Sequence, residues 1–222
     1  MKPNSTLLLV TAVLATPLMA AAQATASPYW VHLGPTSVQF VNGGDVVVGG
    51  GVVPNASTHA SNNTTLGVEL GYDLSPQWSA RFTAGIPPTS KVSGTGNLSA
   101  AAGTPQPLAK VTYGPAVASV TWHPLGRTLG FSPYIGVGLN YPIIFKSEDQ
   151  FLVNVRVHSK IGAAIQVGAE YAFDAKWGVF FDVKKLFTKV DVSANLPGGG
   201  PMATTTAKLN PLVVQMGVSY RF

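Results

Sequence analysis

The end of the chain carries a pattern that few folds accept. Leu212, Val214, Met216, Val218, Tyr220 and Phe222 alternate with Val213, Gln215, Gly217, Ser219 and Arg221. A period of two puts the two sets on opposite faces of a strand. Ile161, Ala163, Ile165, Val167, Ala169, Tyr171 and Phe173 repeat it, opposed by Gly162, Ala164, Gln166, Gly168, Glu170 and Ala172. Six further segments read the same way, at about 29–40, 65–72, 78–86, 113–123, 131–145 and 177–191. The total of about eight is even, as expected of a single-chain bacterial barrel.

The face opposite the large apolar residues consists mostly of Gly, Ala, Ser and Thr, which suits a narrow lumen better than a solvated exterior. A soluble barrel of the lipocalin kind is the alternative, with its apolar face turned inward. Charged residues make up only 10% of the chain and mean hydropathy is +0.26, yet past the N-terminal region no segment reaches the ~20 apolar residues of a spanning helix. Lipid requires every backbone N–H and C=O to be paired, which leaves a closed barrel. The expected fold is therefore all-β, an eight-stranded antiparallel transmembrane β-barrel.

The connections alternate in length. Those at 73–77, 124–130 and 174–176 are tight, whereas 41–64, 87–112, 146–158 and 192–207 are long and rich in Gly, Ser, Thr, Asn and Pro. Short turns belong in the periplasm and long ones outside, so the latter, with Gly49-Gly50-Gly51, read as mobile extracellular loops. At the N-terminus, Lys2, an apolar run through Leu7, Leu14 and Met19, and Ala20-Ala21-Ala22-Gln23-Ala24 form a secretory signal peptide. Cleavage after Ala22, Ala24 or Ala26 fits; residues 1–24 are taken as the signal and 25–222 as the barrel. Cysteine is absent, which excludes disulfides and thiol chemistry.

Trp30, Tyr72, Trp78, Trp122, Tyr171, Phe173, Trp177, Tyr220 and Phe222 lie at strand ends beside short turns or a terminus, where an interfacial girdle is expected. The expected lumen-facing polar residues are His32, Glu69, Arg81, Thr83, Gln166, Glu170, Asp182, Lys184 and Arg221. If Tyr72 and Trp78 are partners, Glu69 lies directly opposite Arg81 as an internal ion pair, with a gating or catalytic role as the alternative. Lys185 then faces lipid and snorkels to the outer interface. Inward glycines, including Gly67, Gly71, Gly136, Gly138, Gly162, Gly168 and Gly217, are expected to leave space for transfer.

His32, His59, His123 and His158 lack metal-ligand spacing, and there is no Gly-x-Ser-x-Gly elbow or phosphate loop, so neither a metal, a cofactor nor an enzyme activity is expected. At the outer rim Lys91, Lys110, Lys146, Arg156, Lys160, Lys189 and Lys208 outnumber Asp45, Glu148, Asp149 and Asp191. Contact with anionic lipopolysaccharide is one reading and ordinary solvated charge the other. Nucleic-acid binding has no support beyond the sign of the net charge. Pro35, Pro87, Pro115, Pro142 and Pro211 each remove a ladder donor. Pro87 and Pro115 fall on consecutive strands, marking a seam for lateral opening unless they merely end pairing at the rim.

The segments Leu66-Gly67-Val68-Glu69-Leu70-Gly71-Tyr72, Pro133-Tyr134-Ile135-Gly136-Val137-Gly138-Leu139-Asn140-Tyr141, Gln166-Val167-Gly168-Ala169-Glu170-Tyr171, Leu209-Asn210-Pro211 and Gly217-Val218-Ser219-Tyr220-Arg221-Phe222 resemble the OmpW family of Gram-negative outer-membrane proteins. The resemblance implies a barrel that admits small hydrophobic molecules through a narrow, largely apolar lumen. It also implies that Phe222 is part of the signal read by the barrel-assembly machinery. The sequence departs from this picture at Thr83 and Lys184, where large apolar residues would better close the lumen. A structural or surface-interaction barrel with a closed lumen is the rival expectation.

Overall fold

A computed structural model describes residues 27–40, 46–48, 50–97, 107–127, 130–200 and 202–222. The segment read as a signal peptide lies outside the described residues. In chain order the strands are β1 (Tyr29–Gln39), β2 (Val46–Val48), β3 (Gly51–Val52), β4 (Ala56–Ala60), β5 (Asn63–Asp73), β6 (Trp78–Gly85), β7 (Thr89–Gly96) and β8 (Pro107–Trp122). They continue with β9 (Gly130–Asp149), β10 (Val153–Ser159), β11 (Gly162–Ala172), β12 (Trp177–Phe187), β13 (Lys189–Asn195), β14 (Met202–Lys208) and β15 (Leu212–Arg221).

The strands β1, β5, β6, β8, β9, β11, β12 and β15 pair in that order, all antiparallel, and β15 returns to β1. Every strand of this closed ring of eight has a neighbour on both sides, so none is an edge strand. Its burial is the inverse of a soluble barrel's. Phe82, Val137, Ile165, Phe181 and Met216 stand exposed on the outer wall, while His32, Glu69, Gln166, Asp182 and Lys184 are buried inside. A transmembrane barrel has this polarity, and the lipocalin alternative is excluded by it.

The long connections depart from expectation. They are not simple loops: β8 and β9 run on beyond the ring, β7 pairs with β8 and β4 with β7, and β10, β13, β14, β2 and β3 form a second sheet. The reason lies in apolar residues set among the Gly, Ser and Thr. Val190 and Ala194 are buried on one face of β13, and Val46 and Leu108 are buried elsewhere in these extensions. Such alternation needs a core, and the extensions build one above the ring. Of the glycine triplet, Gly50 turns the chain at φ +85° and Gly51 opens β3, while Gly49 lies outside the described residues.

A ladder closed on itself resists detergent until it is boiled, because no edge offers a place to start unzipping. Unboiled protein is therefore expected to migrate differently from boiled protein on a detergent gel. Identical mobilities together with a helical circular-dichroism spectrum would contradict the closed ring.

Candidate functional site

Period two along β1 puts Trp30 and His32 on the same face, and the barrel wall makes that face inward. Trp30 is only 1% exposed, which corrects its expected place in the aromatic girdle. Its indole N–H donates to Asp73 Oδ1 at 2.9 Å, and its ring lies under the guanidinium of Arg127, 4.2 Å from the ring centre. Tyr29 takes the outward position and packs against Tyr72, with ring centres 5.0 Å apart. Asp73 also accepts from Ser79 and pairs with Arg127 and with Arg221, each at 2.9 Å, while Arg127 reaches on to Glu170. These groups fill the end of the barrel that carries the short turns.

Deeper in the barrel, Glu69 is the centre of the polar fill. Its Oε1 accepts from Arg81 at 2.8 Å, and its Oε2 pairs with Lys184 at 2.8 Å and accepts from Thr83 at 2.8 Å and Gln166 at 3.2 Å. Asp182 accepts from Lys184 and Gln166, both at 2.6 Å, and from the Tyr134 hydroxyl at 2.8 Å. Arg81 lies 3.8 Å above the Tyr134 ring centre and donates from Nε to Thr121. His32 sits between Glu69 at 3.3 Å and Glu170 at 3.6 Å, stacked on Phe180 at 4.0 Å. Buried charges need partners at this density, because desolvation exceeds what one contact returns.

Glu69 and Arg81 do meet, but not directly across the ladder as expected. The hairpin pairs Glu69 with Thr83 and Gly71 with Arg81, so Tyr72 faces Ala80 rather than Trp78. Asp73 extends β5 by bonding inward, and the turn closes one residue later, with the Leu74 N–H donating to the Trp78 carbonyl. The ion pair is therefore diagonal, within reach of a long guanidinium.

The expectation that inward glycines leave open space is also corrected. A Cβ on Gly71 would collide with the Trp30 ring, and one on Gly168 would lie 2.6 Å from the Tyr134 hydroxyl. These glycines make room for large side chains, not for solute. Lys184 and Thr83, set apart by sequence as poor lumen closers, belong to the same seal through Glu69. Lys185 is half-buried on the other face and donates to the Asn210 carbonyl at 2.6 Å.

Above this polar seal the lining changes character. Val38, Tyr113, Val117, Ala164, Leu186 and Val213 form a buried apolar layer. Over it, between the strand extensions, lies a cavity of about 130 Å³ whose walls include Phe40, Val92, Leu108, Ile144, Val157 and Val192. The lumen thus has two compartments, charged and filled below, apolar and partly empty above. It is not the continuous apolar passage that the resemblance implied.

One stretch of the ring lacks a ladder. Strands β6 and β8 pair from Trp78 with Trp122 up to Thr83 with Val117, and β7 resumes pairing with β8 only at Thr89 with Thr112. Pro87 and Pro115 lie in the interval. There Tyr113 N–H donates to Pro88 O at 3.1 Å, and the β8–β9 register shifts between Thr112 and Tyr113. Tyr113 also lines the cavity. At the opposite end of the wall, Tyr72, Trp78, Trp122, Tyr171 and Trp177 are exposed, and Tyr220 packs on Trp177 with ring centres 4.7 Å apart. Phe222 is exposed beside Tyr220, and its N–H donates to Tyr29 O at 3.1 Å.

Several members of the polar seal were not singled out from sequence. Asp73 and Tyr134 were accessible by carrying the period of two on from Gly71 and back from Gly136. Arg127 was not, since it stands in a turn where no period applies. Among the described residues, no three His, Asp or Glu side chains are grouped to hold a metal ion.

The chain matches the family model described as the OmpW family over residues 27–222. It is 34% identical over 196 residues to the dibenzothiophene metabolism operon protein PahQ of Pseudomonas aeruginosa, covering 88% of this chain and 89% of that one. It is 32% identical over 180 residues to the outer membrane protein AlkL of Ectopseudomonas oleovorans, covering 81% and 75% respectively. The crystal structure of the outer membrane protein OprG from Pseudomonas aeruginosa superposes with a TM-score of 0.81 at 21% identity, covering 89% of this chain and 96% of that one, and so shares the fold. With its closed ring, lipid-facing apolar wall and family match over the whole barrel, the chain belongs to the OmpW family of outer-membrane β-barrels.

Proposed function

We propose that this barrel takes up small hydrophobic molecules from the outside into its upper cavity and releases them sideways into the bilayer. The observation that carries the reading is the change of lining along the lumen. An apolar cavity ends on a filled, charged seal, so an apolar solute that enters from above finds no favourable way down. The gap between β6 and β8 at Pro87 and Pro115 adjoins Tyr113 of the cavity wall and supports a sideways exit. PahQ, named for a dibenzothiophene metabolism operon, supports flat aromatic hydrophobes as the class to try first.

The test is uptake of a panel of alkanes, aromatics and small polar solutes by cells or liposomes with and without the protein. Faster entry of the apolar members alone is expected. Equal rates with and without the barrel would overturn the reading. They would favour instead a structural or surface-interaction barrel with a closed lumen, which the same charged seal supports.

Assembly is proposed to rely on Phe222, the outward aromatic that ends the last strand, as part of the signal read by the barrel-assembly machinery. Deleting it is expected to lower the amount of protein reaching the outer membrane severalfold. Barrel already inserted should lose little, since the deletion removes one exposed ring and one terminal N–H. Unchanged membrane levels of the truncated chain would contradict the assignment.

A further inference from the structure

The outer face of the second sheet places two lysines directly opposite each other. Lys189 on β13 pairs with Lys208 on β14, both side chains point outward, and both residues are exposed. Like charges facing across a ladder repel. Neither ammonium has a carboxylate within ion-pair distance among the described residues. The other such pair, Lys91 with Lys110, is treated differently: Lys110 faces Glu148 on β9.

Around Lys189 and Lys208 runs an open groove of about 650 Å³, whose walls include Lys160, Asp191, Thr204 and Thr206. The Asp191 carboxylate, the groove's acidic group, is already occupied. It pairs with Lys160 at 2.7 Å and accepts from Thr206 at 2.8 Å. Those two hydrogen bonds hold its carboxyl below the usual carboxylate range. The groove therefore keeps an excess of positive charge, with side-chain hydroxyls at Ser193 and Thr204 next along the sheet.

Its height on the wall narrows the ligand. The outward column of β12 is Trp177, Val179, Phe181, Val183, Lys185 and Phe187, and Lys189 follows directly above. With about 2.5 Å of rise per tilted residue, Lys189 stands roughly 30 Å above Trp177, just beyond an apolar band about 25 Å tall. That is the level of the outer leaflet's head groups. We infer that the groove of Lys189 and Lys208 seats a phosphate of an outer-leaflet phosphorylated glycolipid. The acyl chains lie along the exposed Phe187 column, and the sugar lies over Ser193 and Thr204. A free polyanion would gain the same cations but nothing from the apolar column below them.

The test uses the whole barrel in detergent or nanodiscs, titrated with bisphosphorylated lipid A, with the same lipid stripped of phosphate, and with inorganic phosphate. Lys189→Gln with Lys208→Gln is expected to weaken binding of the phosphorylated lipid about 30-fold, near what two surface cations contribute. Asp191→Asn should act in the opposite direction and tighten it about threefold, because removing a negative charge beside the seat favours an anion. Lys91→Gln with Lys110→Gln serves as the control and should change binding less than about twofold. A heat-shifted gel band in every variant shows that the ring has folded. Equal binding of the stripped lipid would overturn the inference. So would a loss in the control pair as large as in Lys189 and Lys208, which would mean general surface charge. Inorganic phosphate binding without discrimination between the two lipids would assign the groove to free phosphate and overturn the lipid assignment.

Discussion

Replacing Glu69 by leucine is expected to destabilise the inserted barrel by about 3–5 kcal/mol, the range for breaking a buried charge pair from one side. Glu69 is fully buried and holds Arg81, Lys184, Thr83 and Gln166, with His32 close by. Leucine fills some of the volume but leaves the Arg81 guanidinium without its carboxylate, while Lys184 keeps only Asp182. Thr83→Val removes a single hydroxyl donor from the same carboxylate and should cost less, about 1.5–3 kcal/mol. Adding Lys184→Met to Glu69→Leu should recover part of the loss, because Arg81 and Lys184 then no longer share Asp182 as their one nearby carboxylate and the excess buried cation is gone. The measurement is the urea midpoint of barrel in detergent, followed by tryptophan fluorescence and by the heat-shifted gel band. A midpoint unmoved by Glu69→Leu would mean that water reaches these groups. The seal below the cavity would then be no seal, and the case for sideways release would weaken with it.

What could be read from the sequence was whatever period two governs. It placed the eight walls, their outward and inward faces, and most of the inward charges. At Trp30 two signals in the sequence conflict. Nearness to a chain end suggested the girdle, while its spacing from His32 put it inside. The period prevails because Asp73 and Arg127 supply the indole with an acceptor and a cation. The two-residue shift between Glu69 and Arg81 was not legible. It is set by how the turn after Asp73 closes, and that depends on Asp73 binding Arg127 of another turn and Arg221 of the last strand. The upper sheet was hidden for a different reason. Its valines alternate with polar residues such as Asn154, Arg156 and Asp191 in strands of seven residues or fewer, each too brief to declare a strand until its partners are known. The glycines misled by the same logic, since a missing side chain leaves space only if no neighbour fills it, and Trp30 and Tyr134 do.

A disulfide across the gap between β6 and β8 is expected to abolish hydrophobic uptake, and reductant to restore it. Two features single out this gap. Pairing between the two strands stops at Thr83 with Val117, and along the stretch above it Pro87, Pro88 and Pro115 have no N–H to donate. Pro35 also interrupts a ladder, between β1 and β15, but there Gly34 and Gly217 bring the backbones so close that a Cβ on Gly217 would meet Gly34 Cα at 2.8 Å. That junction is packed shut, whereas the β6–β8 gap adjoins the cavity through Tyr113. The chain has no cysteine, so introduced pairs report only themselves. Gly85→Cys or Ile86→Cys would be combined with Ala116→Cys or Val117→Cys. The scan extends to Ala84→Cys with Ala116→Cys, the next step along the register beyond Thr83 and Val117. Pairs whose Cα atoms come within about 7 Å can oxidise. Phe82→Cys with Ala118→Cys, inside the intact ladder, is the control and should leave uptake as it was. Loss of uptake in the gap pair alone, reversed on reduction, is the expected result. Full uptake through a barrel crosslinked at the gap would mean that solutes leave elsewhere, and the prolines would then only end strand pairing at the rim.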